Sequence, residues 1–287
     1  PNFADAFFET VSGLTTTGST VINDVEILPL GILFWRSLLH WLGGMGILVL
    51  ALAIMPTIGV GAHQIFKAET TGPISDKVAP KLKDTAKILY IAYLGITVLQ
   101  TVLLMFGGMD LFQALIHTFG TVGTGGYSTK NTSVGAFNSS YITLVIGIFM
   151  MLSGVNFSLY YELYKKRFRH IFQNIELRAY LSIILVSTIL IAINIYSLYG
   201  SVFESFKHAF FQVSSIITTT GYSSVNYDLW PSFSKAILFF LMFVGGSAGS
   251  TGGAIKVIRI VILFMFVRRE IKKLLHPRAL IPIQLNH

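Results

Sequence analysis

Three short runs of threonine and glycine carry the most specific chemistry in this 287-residue chain. They end at Gly18, Gly126 and Gly221, and each holds hydroxyls, methyls and backbone carbonyls but no carboxylate. Glycine permits backbone angles that let consecutive carbonyls face one axis. Several such strands around an axis replace an ion's hydration shell with carbonyl oxygens. Without an acidic ring, that chemistry favours a large, weakly hydrated monovalent cation such as K⁺; Ca²⁺ and Mg²⁺ usually draw carboxylates. The candidate ion-binding residues are Thr16, Thr17 and Gly18; Thr124, Gly125 and Gly126; and Thr219, Thr220 and Gly221. A lone Thr/Gly stretch is more often a turn or a helix contact, so the weight rests on three copies.

A second glycine cluster reads Gly245, Gly246, Ser247, Ala248, Gly249, Ser250, Thr251, Gly252, Gly253. Five glycines in nine residues are incompatible with a stable helix interior, yet the cluster interrupts a long apolar segment. Broken helices at membrane depth need cover from protein or water and are usual at transport sites and gates. A flexible plug across a pore is the expected role, against the plainer one of close helix packing. Lys256 and Arg259 follow within the same segment and are candidate pore cations, to be weighed against snorkelling to the interface. The run also contains Gly-x-Ser-x-Gly around Ser247. That motif needs a preceding strand and a partner His and carboxylate, and an apolar helix precedes it here. Lys256 comes too late for a phosphate-binding loop. The histidines show no metal-ligand spacing, and with no cysteine there is no disulfide or thiolate chemistry.

Each Thr/Gly run ends a short amphipathic segment: Phe3–Leu14, Leu111–Val122 and Val202–Ile217. The segments superimpose without gaps, bringing together Ala6, Ala114 and Ala209 as well as the three glycines. The numbering puts Gly126 108 residues after Gly18 and Gly221 95 residues after Gly126. Each unit of about a hundred residues then reads outer helix, re-entrant half-helix, filter, inner helix. The half-helix directs the negative end of its dipole toward the Thr/Gly run, which suits a cation.

The setting is apolar. Hydrophobic residues make up 53% of the chain, charged ones only 12%, and the mean hydropathy is +0.68. A soluble enzyme, a disordered chain and a nucleic-acid binder are excluded; the net charge of +8 does not revive the last. Five segments are long enough to cross a bilayer: Leu30–Met55, Ala86–Phe106, Tyr141–Leu163, Ala179–Tyr199 and, with its break, Ser234–Val267. Basic residues concentrate in three loops: Lys67, Lys77, Lys81, Lys83 and Lys87; Lys165, Lys166, Arg167, Arg169 and Arg178; Arg268, Arg269, Lys272, Lys273 and Arg278. By the positive-inside rule these are cytoplasmic. The opposite face carries Asp5, Glu9, Asp24, Glu26, Asp110, Glu204 and Asp228. Arg36 and His40, one turn apart, suit an interface anchor or a structural ion pair.

The chain resembles the Trk/Ktr/HKT superfamily of K⁺ transporters, in particular the bacterial Trk-type membrane subunit, along essentially its whole length. The resemblance rests on Ser-Gly-Leu-Thr-Thr-Thr-Gly18-Ser-Thr, Trp41-Leu-Gly-Gly-Met-Gly-Ile, Gly123-Thr-Gly-Gly-Tyr-Ser-Thr, Ile217-Thr-Thr-Thr-Gly-Tyr-Ser-Ser and Gly245-Gly-Ser-Ala-Gly-Ser-Thr-Gly-Gly-Ala-Ile-Lys256. It implies an all-α membrane protein of four helix–re-entrant pore loop–helix repeats around one K⁺-channel-like pore, with three of the four filter loops present here. Gly18, Gly126 and Gly221 match filter glycines, and the Gly-rich run matches an intramembrane gating loop. The organisation expected is a partial first repeat over 1–64, a second over 65–165, a third over 166–275 and a linker over 276–287 toward an absent fourth. That glycine would fall 95–108 residues beyond Gly221, past His287, and the start at Pro1 fits a chain cut inside its first repeat. The resemblance implies K⁺ uptake across the bacterial inner membrane, with half-helices entering from the periplasmic side. It also implies a homodimer and a cytosolic nucleotide-binding regulatory subunit docking on the basic loops. No cofactor, no nucleic-acid partner and no enzymatic activity are expected. The alternatives are a Na⁺- or H⁺-coupled carrier and, remotely, a membrane-embedded hydrolase centred on Ser247.

Overall fold

The computed structural model describes residues 2–46 and 82–275. Eleven α-helices, numbered in chain order, account for most of them: α1 Phe3–Leu14, α2 Leu30–Gly44, α3 Leu82–Phe106, α4 Leu111–Val122, α5 Ser140–Ser153, α6 Phe157–Tyr164, α7 Phe168–Gln173, α8 Ile175–Tyr199, α9 Val202–Ile217, α10 Ser232–Leu241 and α11 Val257–Leu275. The β-structure among them is one isolated parallel bridge, Val244 to Ile255. This is a helical membrane protein, as its composition requires.

The three short helices keep the bounds read from the sequence, because side chains cap them. Asn2 and Asp5 form a reciprocal capping box on α1, Asp110 accepts from the amides of Phe112 and Gln113 at the start of α4, and Ser201 accepts from Glu204 on α9. Each short helix lies against the helix that follows it, α1 on α2, α4 on α5 and α9 on α10. Neighbouring units join in a repeating way, since α4 also lies against α2 and α9 against α5.

The long spans need revision. Lys87–Phe106 and Ile175–Tyr199 are long and apolar enough to cross a membrane, and both leave wide faces of Ile, Leu and Val exposed. The segment Tyr141–Leu163 is not one straight helix: α5 stops at Ser153, and α6 leaves at 94° to it. The cause is local. The Gly154 carbonyl accepts the amide of Ser247 at 2.8 Å, and Asn156 caps α6 through the Ser158 amide at 2.9 Å. The last segment is split more widely than the glycines suggested, with α10 ending at Leu241 and α11 starting at Val257. Of Leu30–Met55, the helix runs over Leu30–Gly44, Met45 and Gly46 follow it, and 47–55 lies outside the described residues, as do Lys67, Lys77, Lys81, Arg278 and the linker 276–287.

Two large apolar clusters fill most of the interior, beside a small third one of Val25, Leu33 and Ile116. One large cluster gathers Tyr93, Leu104, Ile146, Met150, Phe157, Phe211 and Tyr222. The other gathers Tyr180, Ile184, Ile191, Ile195, Val213 and Ile217 around α8 and α9. Together these two clamp the C-terminal ends of α4 and α9, where the Thr/Gly turns begin.

Candidate functional site

The three Thr/Gly turns have one backbone design, built three times. Each short helix ends in the αR region at Thr15, Gly123 or Thr218. The next residue turns left-handed, with φ of 55° at Thr16, 54° at Thr124 and 59° at Thr219. Two residues later the glycine does so again, at 75°, 82° and 84°. A left-handed conformation costs an L-residue roughly 1–2 kcal/mol, so three threonines held this way must be fixed by their surroundings.

Helix-end carbonyls do the fixing. The amides of Thr16, Thr124 and Thr219 donate to Gly13, Thr121 and Ile216 at 3.0–3.2 Å. The amides of Thr17, Gly125 and Thr220 donate to Ser12, Gly120 and Ser215 at 2.9–3.0 Å, and the glycine amides share those same acceptors at 3.2–3.5 Å. With the amides turned back into the helix, the carbonyls of each turn are left for other partners. The turns stand side by side: a Cβ on Gly18 would strike the Gly125 carbonyl, and one on Gly126 would strike the Thr220 carbonyl. Among the described residues nothing comes within 4 Å of that position on Gly221.

Buried polar groups brace the turns from behind. Glu9, read from the sequence as part of a solvated acidic face, is instead buried. Its Oε1 accepts from Thr20 Oγ1 at 2.6 Å and the Val21 amide at 2.7 Å, and its Oε2 pairs with Arg36 at 2.9 Å. The Arg36 guanidinium lies 4.0 Å from the centre of the Tyr127 ring, and His40 stacks on the same ring at 4.0 Å. The structural ion pair expected for Arg36 is therefore present. His117, at the position of Glu9 in the second unit, meets Ser128 Oγ through Nε2 at 3.0 Å, repeating the Glu9–Thr20 contact. Neither Glu9 nor Tyr127 stands out in the sequence; the signal available was position, since the three-way superposition aligns Glu9 with His117 and Gln212.

The Gly-rich run lies directly against the turns. Thr124 Oγ1 donates to the Thr251 carbonyl at 2.9 Å, and Thr219 Oγ1 accepts the Gly253 amide at 2.7 Å. Thr251 Oγ1 reaches the carbonyls of Val122 at 3.0 Å and Ser153 at 3.3 Å. The run is anchored from the other side by Glu176, whose Oε1 accepts from Ala248 at 2.7 Å and from Ile258 at 3.2 Å. Glu176 was missed in the sequence because it sits among helix-start residues with nothing to mark it. Lys256 is buried and its Nζ donates to the Gly252 carbonyl. Arg259 is exposed and, with Lys256, lines a cavity of about 300 Å³ bounded by Gly43–Gly46 and Gly249–Ala254. Ser247 is buried, and its hydroxyl has no hydrogen-bond partner among the described residues, so no base there activates it as a nucleophile.

A family model described as a cation transport protein, TrkH, matches residues 1–286. The chain belongs to the TrkH family. It is 42% identical over 287 residues to the Trk system potassium uptake protein TrkH of Escherichia coli K12, covering 99% of this chain and 59% of that protein. It is 41% identical to the Trk system potassium uptake protein TrkG of the same organism, again over 99% and 59%. Among solved structures it matches the crystal structure of the potassium transporter TrkH from Vibrio parahaemolyticus with a TM-score of 0.85 at 38% identity, covering 99% of this chain and 59% of that one. The chain thus spans about three-fifths of the length of these relatives. Membership of a transport family removes the hydrolase alternative.

Proposed function

We propose that this chain forms part of a K⁺ uptake pathway in the bacterial cytoplasmic membrane, with Thr16–Gly18, Thr124–Gly126 and Thr219–Gly221 as filter strands. The observation that carries the reading is the backbone design repeated three times, with amides turned inward and adjacent strands in carbonyl contact. Carbonyl coordination suits a K⁺-sized cation, and the relatives are potassium uptake proteins by name. The units proposed are 1–64, 65–165 and 166–275, with 276–287 leading onward.

In the same reading Gly245–Gly253 is a gate. It is bonded to the lowest filter threonines on one side and to Glu176 on the other. Lys256 acts by fastening the unwound backbone; Arg259 faces the vestibule beneath it. The short helices enter from the outer side, in keeping with the exposed cluster Lys165–Arg169 and the basic end of α11 on the other. A homodimer and a cytosolic nucleotide-binding subunit seated on those basic segments complete the proposal. The parallel direction of the units favours a pore over a carrier built on inverted repeats.

The test is ⁸⁶Rb⁺ flux and K⁺-dependent growth with the protein expressed from its complete gene, comparing the native chain with Gly221→Ser. At φ 84° serine is strained, and the strand must shift. Relaxed or lost K⁺-over-Na⁺ discrimination is the expected result. Unchanged discrimination in a variant that reaches the membrane would remove Gly221 from the filter.

A further inference from the structure

The residue after each filter glycine is Ser19, Tyr127 or Tyr222, and its carbonyl is the last polar group of the strand. All three carbonyls are held, by two different devices. In the first and third strands a serine on the same short helix does it: Ser12 Oγ donates to Ser19 at 2.6 Å and Ser215 Oγ donates to Tyr222 at 2.6 Å. The second strand has Gly120 at that position and no hydroxyl to offer. There the Tyr222 hydroxyl, from the next unit, donates to the Tyr127 carbonyl at 2.9 Å. It occupies the space a side chain on Gly120 would fill.

The same tyrosine position works between the first two units. Tyr127 Oη donates to the Ser19 carbonyl at 3.1 Å and lies 3.4 Å from the Glu9 carbonyl. Tyr222 Oη likewise lies 3.3 Å from the carbonyl of His117, the residue equivalent to Glu9. Both tyrosines are buried, Tyr222 completely. Ser19 is therefore held twice, and Tyr127 once, by Tyr222.

The geometry points to Tyr127 and Tyr222 as positioning residues that lock each filter strand to the one before it, with Tyr222 the indispensable member because Gly120 leaves it no substitute. This rests on the filter reading above. A buried carbonyl that loses its donor costs several-fold in an equilibrium constant, and here that cost loosens the second strand. Tyr222→Phe, which keeps the ring, is expected to lower K⁺-over-Na⁺ discrimination about five- to tenfold. Adding Gly120→Ser restores most of it, because the new hydroxyl copies the Ser12 and Ser215 bonds once the Tyr222 hydroxyl is gone; the ring carbon and the Tyr127 carbonyl, both at 3.1 Å from the new Cβ, then give way by a few tenths of an ångström. In the first strand, Ser12→Ala and Tyr127→Phe each cost less than about twofold, and together as much as Tyr222→Phe.

The measurement is the K⁺/Na⁺ flux ratio in vesicles, normalised to protein in the membrane, with Gly221→Ser alongside. Unaltered discrimination in Tyr222→Phe while Gly221→Ser relaxes it overturns the lock and leaves the filter standing. Unaltered discrimination in both overturns the filter reading itself. Loss in Tyr222→Phe without recovery in the Gly120→Ser double variant marks a merely structural tyrosine and also overturns the lock. Should Tyr222→Phe fail to reach the membrane, the Ser12/Tyr127 pair decides: additive small effects refute the proposal, and a loss appearing only in the double variant supports it.

Discussion

Replacing Glu9 by Gln should destabilise the protein more than replacing Arg36 by Met, and doing both should cost less than the two losses summed. The pair is nearly dry, with the side chains 5% exposed for Arg36 and 11% for Glu9. Arg36 sends both Nε, at 3.0 Å, and Nη2, at 2.9 Å, to the same oxygen. Removing one member of such a pair costs about 3–5 kcal/mol, because the survivor is left as an uncompensated buried charge. The survivors differ. An arginine does not shed its proton inside a protein, so after Glu9→Gln the guanidinium keeps the Thr20 hydroxyl at 3.0 Å and the Tyr127 ring but no counter-charge, and the one amide oxygen cannot serve the donors that faced both carboxylate oxygens; that loss belongs near the upper end of the range. After Arg36→Met the carboxyl still has Thr20 Oγ1 and the Val21 amide, and it can take up a proton. That loss belongs near the lower end, about 3 kcal/mol. The double variant removes both charges and should recover at least about 2 kcal/mol of the sum. Reversible unfolding in mixed detergent micelles measures the three differences. Additive losses, or a Glu9→Gln cost below about 1 kcal/mol, would refute the account of Glu9 as the anchor behind the first Thr/Gly turn.

Three further outcomes are expected. Deleting Gly249–Gly252 should raise basal ⁸⁶Rb⁺ flux several-fold; lower flux at equal membrane abundance would sink the gate. Thr219→Val, which keeps the shape but removes the acceptor of the Gly253 amide, should loosen the loop by about 1 kcal/mol, read as faster hydrogen exchange over 245–253, and no change there would break the proposed link. Outside the membrane, Asp24 and Glu26 clasp Asn131 and Lys130 at 2.7–3.2 Å. The Asn131 amide holds the Asp24 carboxyl below its ordinary 3.8, and Lys130 holds that of Glu26 below its ordinary 4.5. The clasp is therefore complete above those ordinary values and is lost as the pH falls through the lowered ones. Protection of the 20–29 segment, its exchange relative to the intrinsic amide rate at each pH, should fall only below about pH 4, and a fall near neutrality would assign the clasp to some other group.

The short helices and the turns they lead into were legible because their determinants are local. A cap, an amphipathic stripe and a glycine at a fixed offset are written within a few helical turns of one another, and three copies expose them by superposition. The features that escaped are written between copies. Whether Glu9 faces water or Arg36 depends on where α2 lies, and its side chain alone reads as one more acidic residue on an outer face. The bend after Ser153 has the same origin: the segment Tyr141–Leu163 is apolar enough for one helix, and the amide of Ser247, far along the chain, claims the Gly154 carbonyl. The break in the last segment was visible as glycines, but its true extent follows from the pairing of Val244 with Ile255, which no composition reveals.

The arrangement also ties the Thr/Gly turns and the glycine loop together. Thr124 and Thr219 are left-handed residues whose strain must be offset by fixed surroundings, and for both of them the side-chain partner includes the loop. Thr16, in the first unit, makes no hydrogen bond to the loop among the described residues; its neighbour Thr17 meets Thr15 instead, hydroxyl to hydroxyl at 2.8 Å. A movement that draws both Gly253 and Thr251 away therefore releases two of the three strained threonines and leaves the third as it was. Glu176, at the first turn of α8, holds the same loop from the side of the basic segment Lys165–Arg169. A displacement of that segment has a bonded route to the Thr/Gly turns: from α8 through Glu176 to the Ala248 amide, and through Thr251 to Thr124.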